Sequence, residues 1–288
     1  MAALIGRTVS AWDGLALHVH DWGPVGDAPA LLCLPGLVRT GADFADLAGR
    51  YGAGRYGAGR YGAGRRVVSL DYAGRGASGR AASVERYAPE ACLRDVLDVC
   101  SALHLHRAIV IGTSLGGLLA MALGVARPGM LAGVVLNDIG PEVGSAGLDI
   151  VRHHVADDPA LPGLAEAAAH LRARLADLSL SGETEWQRFA GLTYAQGPDG
   201  RFHPRWDTRI AALVGRKVPP LWPLFHTLAG VKLLLVHGGR STILTTATVD
   251  RMRAARPDMG YAVVPDSGHA PTLNEPAVVA ALDGFLAA

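Results

Sequence analysis

Short apolar runs alternate with longer segments of helical period along most of this chain. Ala30–Leu34, Arg66–Leu70, Ala108–Ile111, Leu131–Leu136, Lys232–Val236 and Tyr261–Val264 are continuously or nearly continuously apolar and too short for helices. That is the pattern of strands buried on both faces of a parallel sheet. Between them, Pro89–Leu103 places Ala91, Leu93, Val96, Leu97 and Cys100 on one helical face, while Leu118–Ala126, Val249–Ala255 and Pro276–Phe285 also read as helices. Thr8–Trp12 and Leu15–Trp22 flank Asp13-Gly14, the signal of an antiparallel hairpin. Strand–helix alternation after such a hairpin predicts a mostly parallel sheet with helices on both faces. After Pro141 the alternation stops, and the chain to Ala229 reads as mostly helical with Gly and Pro punctuation. We therefore expect a core domain from 1–140 and 230–288, and an inserted helical cap over 141–229.

The sharpest local feature is Gly112-Thr113-Ser114-Leu115-Gly116, which joins the Ala108–Ile111 strand to the Leu118–Ala126 helix with almost no loop. Gly-x-Ser-x-Gly at a strand-to-helix junction is the nucleophile elbow, a strained turn that exposes its serine at the sheet edge. The plain alternative is a glycine-rich helix start with an ordinary N-cap serine. A serine hydroxyl needs a base to become a nucleophile, and the base needs an orienting acid. Eleven histidines compete for the role of base. His269, in Pro265-Asp266-Ser267-Gly268-His269, follows the last apolar strand and so reaches the same sheet edge as Ser114. His18 with His20, and His104 with His106, form His-x-His pairs, but no third ligand is spaced to join either, so they read as surface histidines. His153 and His154 fall in the cap and are candidates to line its pocket.

Composition narrows the function further. The chain has 288 residues, half of them hydrophobic, and a formal net charge of +1. That is ample for a large core and argues against nucleic acid or an acidic membrane surface as partner. Cys33, Cys92 and Cys100 do not make a disulfide framework, and Trp12, Asp13 and His18 interrupt any apolar leader. A cytoplasmic protein with no membrane span is the expectation. Tyr-Gly-Ala-Gly-Arg occurs three times in succession from Tyr51 to Arg65, which reads as a duplicated, basic and mobile surface connection. Gly74-Arg75-Gly76-Ala77-Ser78-Gly79 mimics a dinucleotide fingerprint, yet no helix opens directly after it to receive a pyrophosphate.

Leu34-Pro35-Gly36-Leu37, Asp71-Tyr72-Ala73-Gly74-Arg75-Gly76-Ala77-Ser78, the elbow, Leu136-Asn137-Asp138-Ile139-Gly140-Pro141 and Ser267-Gly268-His269 stand in order along nearly the whole chain. In these motifs the sequence resembles the α/β-hydrolase fold superfamily, in its branch of compact bacterial esterase-like enzymes. The resemblance implies Ser114 as nucleophile, His269 as base, and the backbone amides of Leu37 and Leu115 as oxyanion hole, with Asp71 in a structural turn. It also exposes a departure. The family usually places its acid after the strand that here is Lys232–Val236, where this chain reads His237-Gly238-Gly239-Arg240-Ser241-Thr242. Threonine cannot stabilise an imidazolium by charge. Asp138, after the preceding strand, is a position some superfamily members use instead, and we take it as the acting acid.

The expected activity is hydrolysis of a carboxylic ester or related acyl bond in a small molecule, without metal or organic cofactor, by a monomer or homodimer. Lactone or carbon–carbon bond hydrolysis uses the same residues. A catalytically impaired ligand-binding homologue is the competing class, resting on Thr242. Trp222 and Phe225 in the cap are candidate pocket residues.

Overall fold

The computed structural model describes residues 4–23, 25–52, 64–216 and 220–287. The connection expected to be mobile falls mainly on 53–63, outside the described residues. Its two ends are fixed: the Arg65 amide donates to the Tyr51 carbonyl (2.9 Å), and the Tyr51 hydroxyl donates to Asp283.

An eight-stranded sheet forms the centre. Its strands are β1 (Leu4–Ser10), β2 (Ala16–Trp22), β3 (Ala30–Leu34), β4 (Val67–Leu70), β5 (Ala108–Thr113), β6 (Leu131–Asn137), β9 (Leu233–Gly238) and β10 (Gly260–Val264), in the spatial order 1-2-4-3-5-6-9-10. β1–β2 and β2–β4 are antiparallel and the remaining neighbours parallel. β1 begins earlier than the sequence pattern suggested, because as an edge strand it is exposed and carries little apolar alternation.

Period-two alternation divides the buried side chains between the two faces of the sheet. Leu32, Leu34, Val68, Leu70, Val110 and Leu136 pack in one cluster, with residues of α2 (Pro89–Ala102), α3 (Leu115–Ala126) and α8 (Thr246–Ala255). Leu31, Cys33, Val67, Ile111, Val135 and Val236 pack in the other, with α1 (Ala45–Tyr51) and α9 (Pro276–Ala287). This is the α/β-hydrolase fold, with helices on both faces of a mostly parallel sheet.

Between β6 and β9 the chain carries α4 (Ser145–Ala156), α5 (Leu164–Arg174), α6 (Gly182–Thr193) and α7 (Trp222–His226). It also carries a small antiparallel pair, β7 (Tyr194–Gln196) with β8 (Phe202–Pro204), which helical periodicity did not reveal. Its turn, Gly197-Pro198-Asp199-Gly200, closes through the Gly197 amide on the Arg201 carbonyl, with Gly200 at φ 79°. Punctuation first read as a helix break is a hairpin turn.

β3, β5 and the first turn of α3 approach so closely that only glycine fits between them. A Cβ on Gly116 would collide with the Leu34 carbonyl oxygen, and one on Gly112 with the Gly116 backbone. Gly116→Ala should cost about 1–3 kcal/mol through overpacking against rigid backbone. Thermal unfolding should show a Tm lower by roughly 3–10 °C; an unchanged Tm would mean that the strand-to-helix junction has slack.

Candidate active site

Ser114 lies between β5 and α3 at φ 53°, ψ −115°, a conformation a non-glycine residue holds only under constraint. Its amide donates to the Asn137 carbonyl at the end of β6 (3.0 Å), and its own carbonyl accepts from the Gly117 and Leu118 amides. The side chain is thereby aimed at the loop after β10, which carries His269. Nε2 of His269 lies 2.9 Å from Ser114 Oγ, and Nδ1 lies 2.7 Å from Asp138 Oδ2. A carboxylate only accepts, so Nδ1 carries the hydrogen and Nε2 presents its lone pair to the serine hydroxyl.

Asp138 follows β6 at φ 55° and is fully buried. Its Oδ1 accepts the amide of Gly238, the last residue of β9, at 2.9 Å. Two donors from two different segments therefore hold one carboxylate oxygen each. Thr242 lines the cavity nearby. Asp266, the other acid close to His269 in sequence, is exposed and paired with Arg240.

Leu115 opens α3, so its amide is among the N-terminal donors with no acceptor inside the helix. Leu37, in the loop after β3, lines the same cavity as Ser114. The turn after β4 fixes that loop: Arg75, fully buried, donates from Nε to the Leu37 carbonyl (2.9 Å), and the Tyr72 hydroxyl donates to the Pro35 carbonyl (3.2 Å). Asp71 anchors the turn by accepting the Gly41 and Ala77 amides, the structural part expected of it.

Arg75 escaped the sequence reading, although it stands inside the quoted 71–78 motif. Asn137 escaped as well. Its Nδ2 spans from Thr113 Oγ1 (3.1 Å) to the Pro271 carbonyl (2.9 Å), tying the strand before the nucleophile to the loop after the histidine. The segment between α5 and α6 holds the same loop from the other side. The Asp177 carbonyl accepts the Gly268 amide (2.6 Å), and the Ser179 hydroxyl donates to Glu275.

The cavity above Ser114 has a volume of about 610 Å³. Leu37, Val38, Ile150, Phe189, Leu192 and Ile243 supply apolar wall, from both the sheet edge and the segment between β6 and β9. Among the described residues four arginines line the cavity: Arg39 is committed to Asp43 and Thr193 and stacks on Phe189, while Arg174 pairs with Asp157, Arg188 with Asp46 and Arg240 with Asp266. Trp222 and Phe225 do not line this cavity, contrary to the sequence expectation. Phe225 is fully buried in the core, on a helix packed against α3, while Trp222 donates to Glu142 (2.7 Å) with Arg251 over its ring. Aromatic residues of this segment serve its packing as readily as a pocket.

The other histidines separate. His104, His106 and His153 are exposed, and His154 lines the cavity. His18 and His20 are not ordinary surface residues, since His20 is buried and bonded to Asp71. Burial, more than the nearby Arg39 and Arg174, pushes the His154 imidazole down to about 4, so it stays neutral in the folded protein at neutral pH. On unfolding it regains an ordinary affinity for protons, so the unfolded state binds more protons between about pH 4 and 6.5. Stability from this source is present above the unfolded pKa and falls as pH is lowered through that window. His154→Gln should therefore shrink the drop in Tm between pH 7 and pH 5; an equal drop in both proteins would refute the buried neutral state.

Comparison with known proteins agrees with this architecture. Residues 31–282 match the model of the alpha/beta hydrolase family. An alpha/beta hydrolase from Novosphingobium aromaticivorans superposes with a TM-score of 0.90 at 36% identity, covering 99% of each chain. E-2-(acetamidomethylene)succinate hydrolase shares the fold at TM-score 0.81 and 21% identity, over 99% of this chain and all of that one. Among characterised sequences, 3-hydroxybutyrate-oligomer hydrolase of Cupriavidus necator is 29% identical over 277 residues, 92% of this chain and 91% of its own length. The sn-1-specific diacylglycerol lipase of Mus musculus is 29% identical over 250 residues, 85% of this chain and 76% of the lipase. Among the described residues no helix is long and apolar enough to cross a membrane.

Proposed function

This chain belongs to the alpha/beta hydrolase family, and from that premise we propose that it is a serine hydrolase of carboxylic esters working through Ser114, His269 and Asp138. One observation carries the proposal: the unbroken hydrogen-bonded chain from Ser114 Oγ through His269 to Asp138, built on a strained elbow. Ser114 attacks the ester carbonyl while His269 Nε2 takes its proton, and Asp138 stabilises the imidazolium that forms. The tetrahedral oxyanion falls to the Leu115 and Leu37 amides; in other enzymes one such donor is worth about 2.7–4 kcal/mol. His269 returns the proton to the departing alkoxide, and a water activated by the same histidine then releases the acyl group. None of these steps calls on a metal or an organic cofactor.

The substrate is read from the cavity and from the relatives. An apolar wall, with each lining arginine already paired to a carboxylate (Arg39 to Asp43, Arg174 to Asp157, Arg188 to Asp46, Arg240 to Asp266), favours an uncharged acyl chain over a charged one. Two relatives are named as a hydrolase of 3-hydroxybutyrate oligomers and as a diacylglycerol lipase, which supports esters of short or lipid-like acids. We take 141–229 as the cap that closes over such a chain. Lactone and carbon–carbon bond hydrolysis remain chemistry of the same residues. The impaired ligand-binding reading rested on Thr242, and it loses that support because a carboxylate already sits on His269 Nδ1.

Ser114→Ala should abolish both ester turnover and covalent labelling by a fluorophosphonate, with the Tm unchanged because a hydroxyl lost from the wall of an open cavity leaves no core void. Turnover at the parental rate in that variant would sink the elbow assignment.

Asp138→Asn tests the acid. In another triad the corresponding change costs about 10⁴-fold in turnover, because the amide favours the wrong histidine tautomer. A loss of similar order is expected here, whereas Thr242→Asp alone should change little and in the double variant should restore part of the rate. A mild effect of Asp138→Asn, together with a large gain from Thr242→Asp alone, would mean that Asp138 is not the acid. Kinetics of both single variants and the double separate these outcomes by their non-additivity.

A further inference from the structure

β2 and β4 pair antiparallel with Val19 opposite Leu70 and His20 opposite Ser69, and the Asp71 amide donates to the His18 carbonyl at 2.9 Å. This register sets Asp71 against His18. Residues opposite one another point to one face, as do residues two apart along a strand. Three metal-ligand side chains, His18, His20 and Asp71, are therefore gathered on one face by strand register alone. Their donor atoms all lie within 4.8 Å of one another.

We propose that His18, His20 and Asp71 form a binding site for a divalent transition-metal cation of the zinc class, separate from the Ser114 centre. The first argument is distance. Zinc takes imidazole nitrogen at about 2.0–2.1 Å and carboxylate oxygen at about 2.0–2.2 Å, which puts ligands of a tetrahedral site roughly 3.3–3.5 Å apart. His20 Nε2 and Asp71 Oδ1 stand 3.2 Å apart, close to that spacing. His18, whose ring meets His20 edge-on at 4.7 Å between centroids, is partly exposed.

The second argument is the state of each ligand. Among the described residues the His18 ring makes no hydrogen bond, so its lone pair is not committed to another group. His20 is buried and its Nε2 donates to Asp71 while Nδ1 is unpartnered, so moving the hydrogen to Nδ1 breaks no other bond. Nε2 can then give up its hydrogen bond to Asp71 and face a cation. Asp71 is oriented by the Gly41 and Ala77 amides, the kind of outer support a ligating carboxylate requires, and its oxygens keep lone pairs for a metal. Trp22, stacked on His20 at 5.4 Å, holds that ring in place. The exposed side of His18 leaves the fourth position to water.

The test uses the full chain, stripped with EDTA and desalted, titrated with zinc chloride at neutral pH by calorimetry and followed in parallel by thermal unfolding. One equivalent should bind and raise the Tm, since a ligand that binds only the folded state stabilises it. His18→Ala and His18→Gln, which touch none of the ester-cleaving residues, should each weaken binding roughly tenfold or more, with their Tm in EDTA unchanged. The double variant His104→Ala, His106→Ala should bind as the parent does. No zinc binding by the parent overturns the proposal, as does binding that survives both His18 variants or vanishes with the His104 and His106 pair.

Discussion

The main chain leaves no room for a side chain where β3, β5 and the first turn of α3 meet, and the placement of the site depends on that approach. Gly112 and Gly116 remove two side chains at the contact, letting α3 start directly behind the β5 edge. Ser114, between them, is forced to positive φ, and its strain is balanced by the Asn137 carbonyl on its amide and two helix amides on its carbonyl. Sheet topology does the rest. β3, β5, β6 and β9 run parallel and adjacent, so Leu37, Ser114, Asp138 and Gly238 all emerge at the same edge.

Asp138, the proposed acid, shows how the edge tolerates a change of plan. Histidine requires a carboxylate on Nδ1, but not one from any particular strand. Asp138 reaches it from β6, while β9, after which the family resemblance had placed the acid, contributes the Gly238 amide that steadies Asp138. A buried carboxylate left alone would cost several kcal/mol. This one is shared between an imidazole and a backbone amide, and positive φ at Asp138 turns it inward at the strand end. The β9 side of the cavity presents Thr242 and Ile243, with Arg240 beside them held by Asp266.

Much of this was legible in the sequence because parallel strands buried on both faces are short continuous apolar runs, and because the elbow joins a strand to a helix without a loop. Ser114, His269 and Asp138, each after a readable strand, could be proposed together. What stayed hidden depends on contacts across large sequence distances. Trp222 and Phe225 looked like pocket aromatics, yet a helical segment buries its aromatic residues wherever its own packing needs them. Asn137 and Arg75 act by reaching carbonyls at Pro271 and Leu37, and no local pattern announces such a reach. The β7–β8 hairpin was missed because its strands are three residues long, too short for alternation to show.

His18 and His20 illustrate the same limit from the other direction. Two residues apart on a strand, they look like an incomplete ligand pair, and no spacing in the sequence supplies a third. Strand pairing supplies it. Once β2 runs antiparallel to β4, the residue that follows β4 must lie beside the middle of β2, and that residue is Asp71. The same aspartate begins the turn that carries Tyr72 and Arg75 to the carbonyls of Pro35 and Leu37 in the loop after β3. A single carboxylate thus faces histidines on one strand while its own segment braces the loop after β3, so the antiparallel margin of the sheet and its parallel centre are mechanically joined at Asp71.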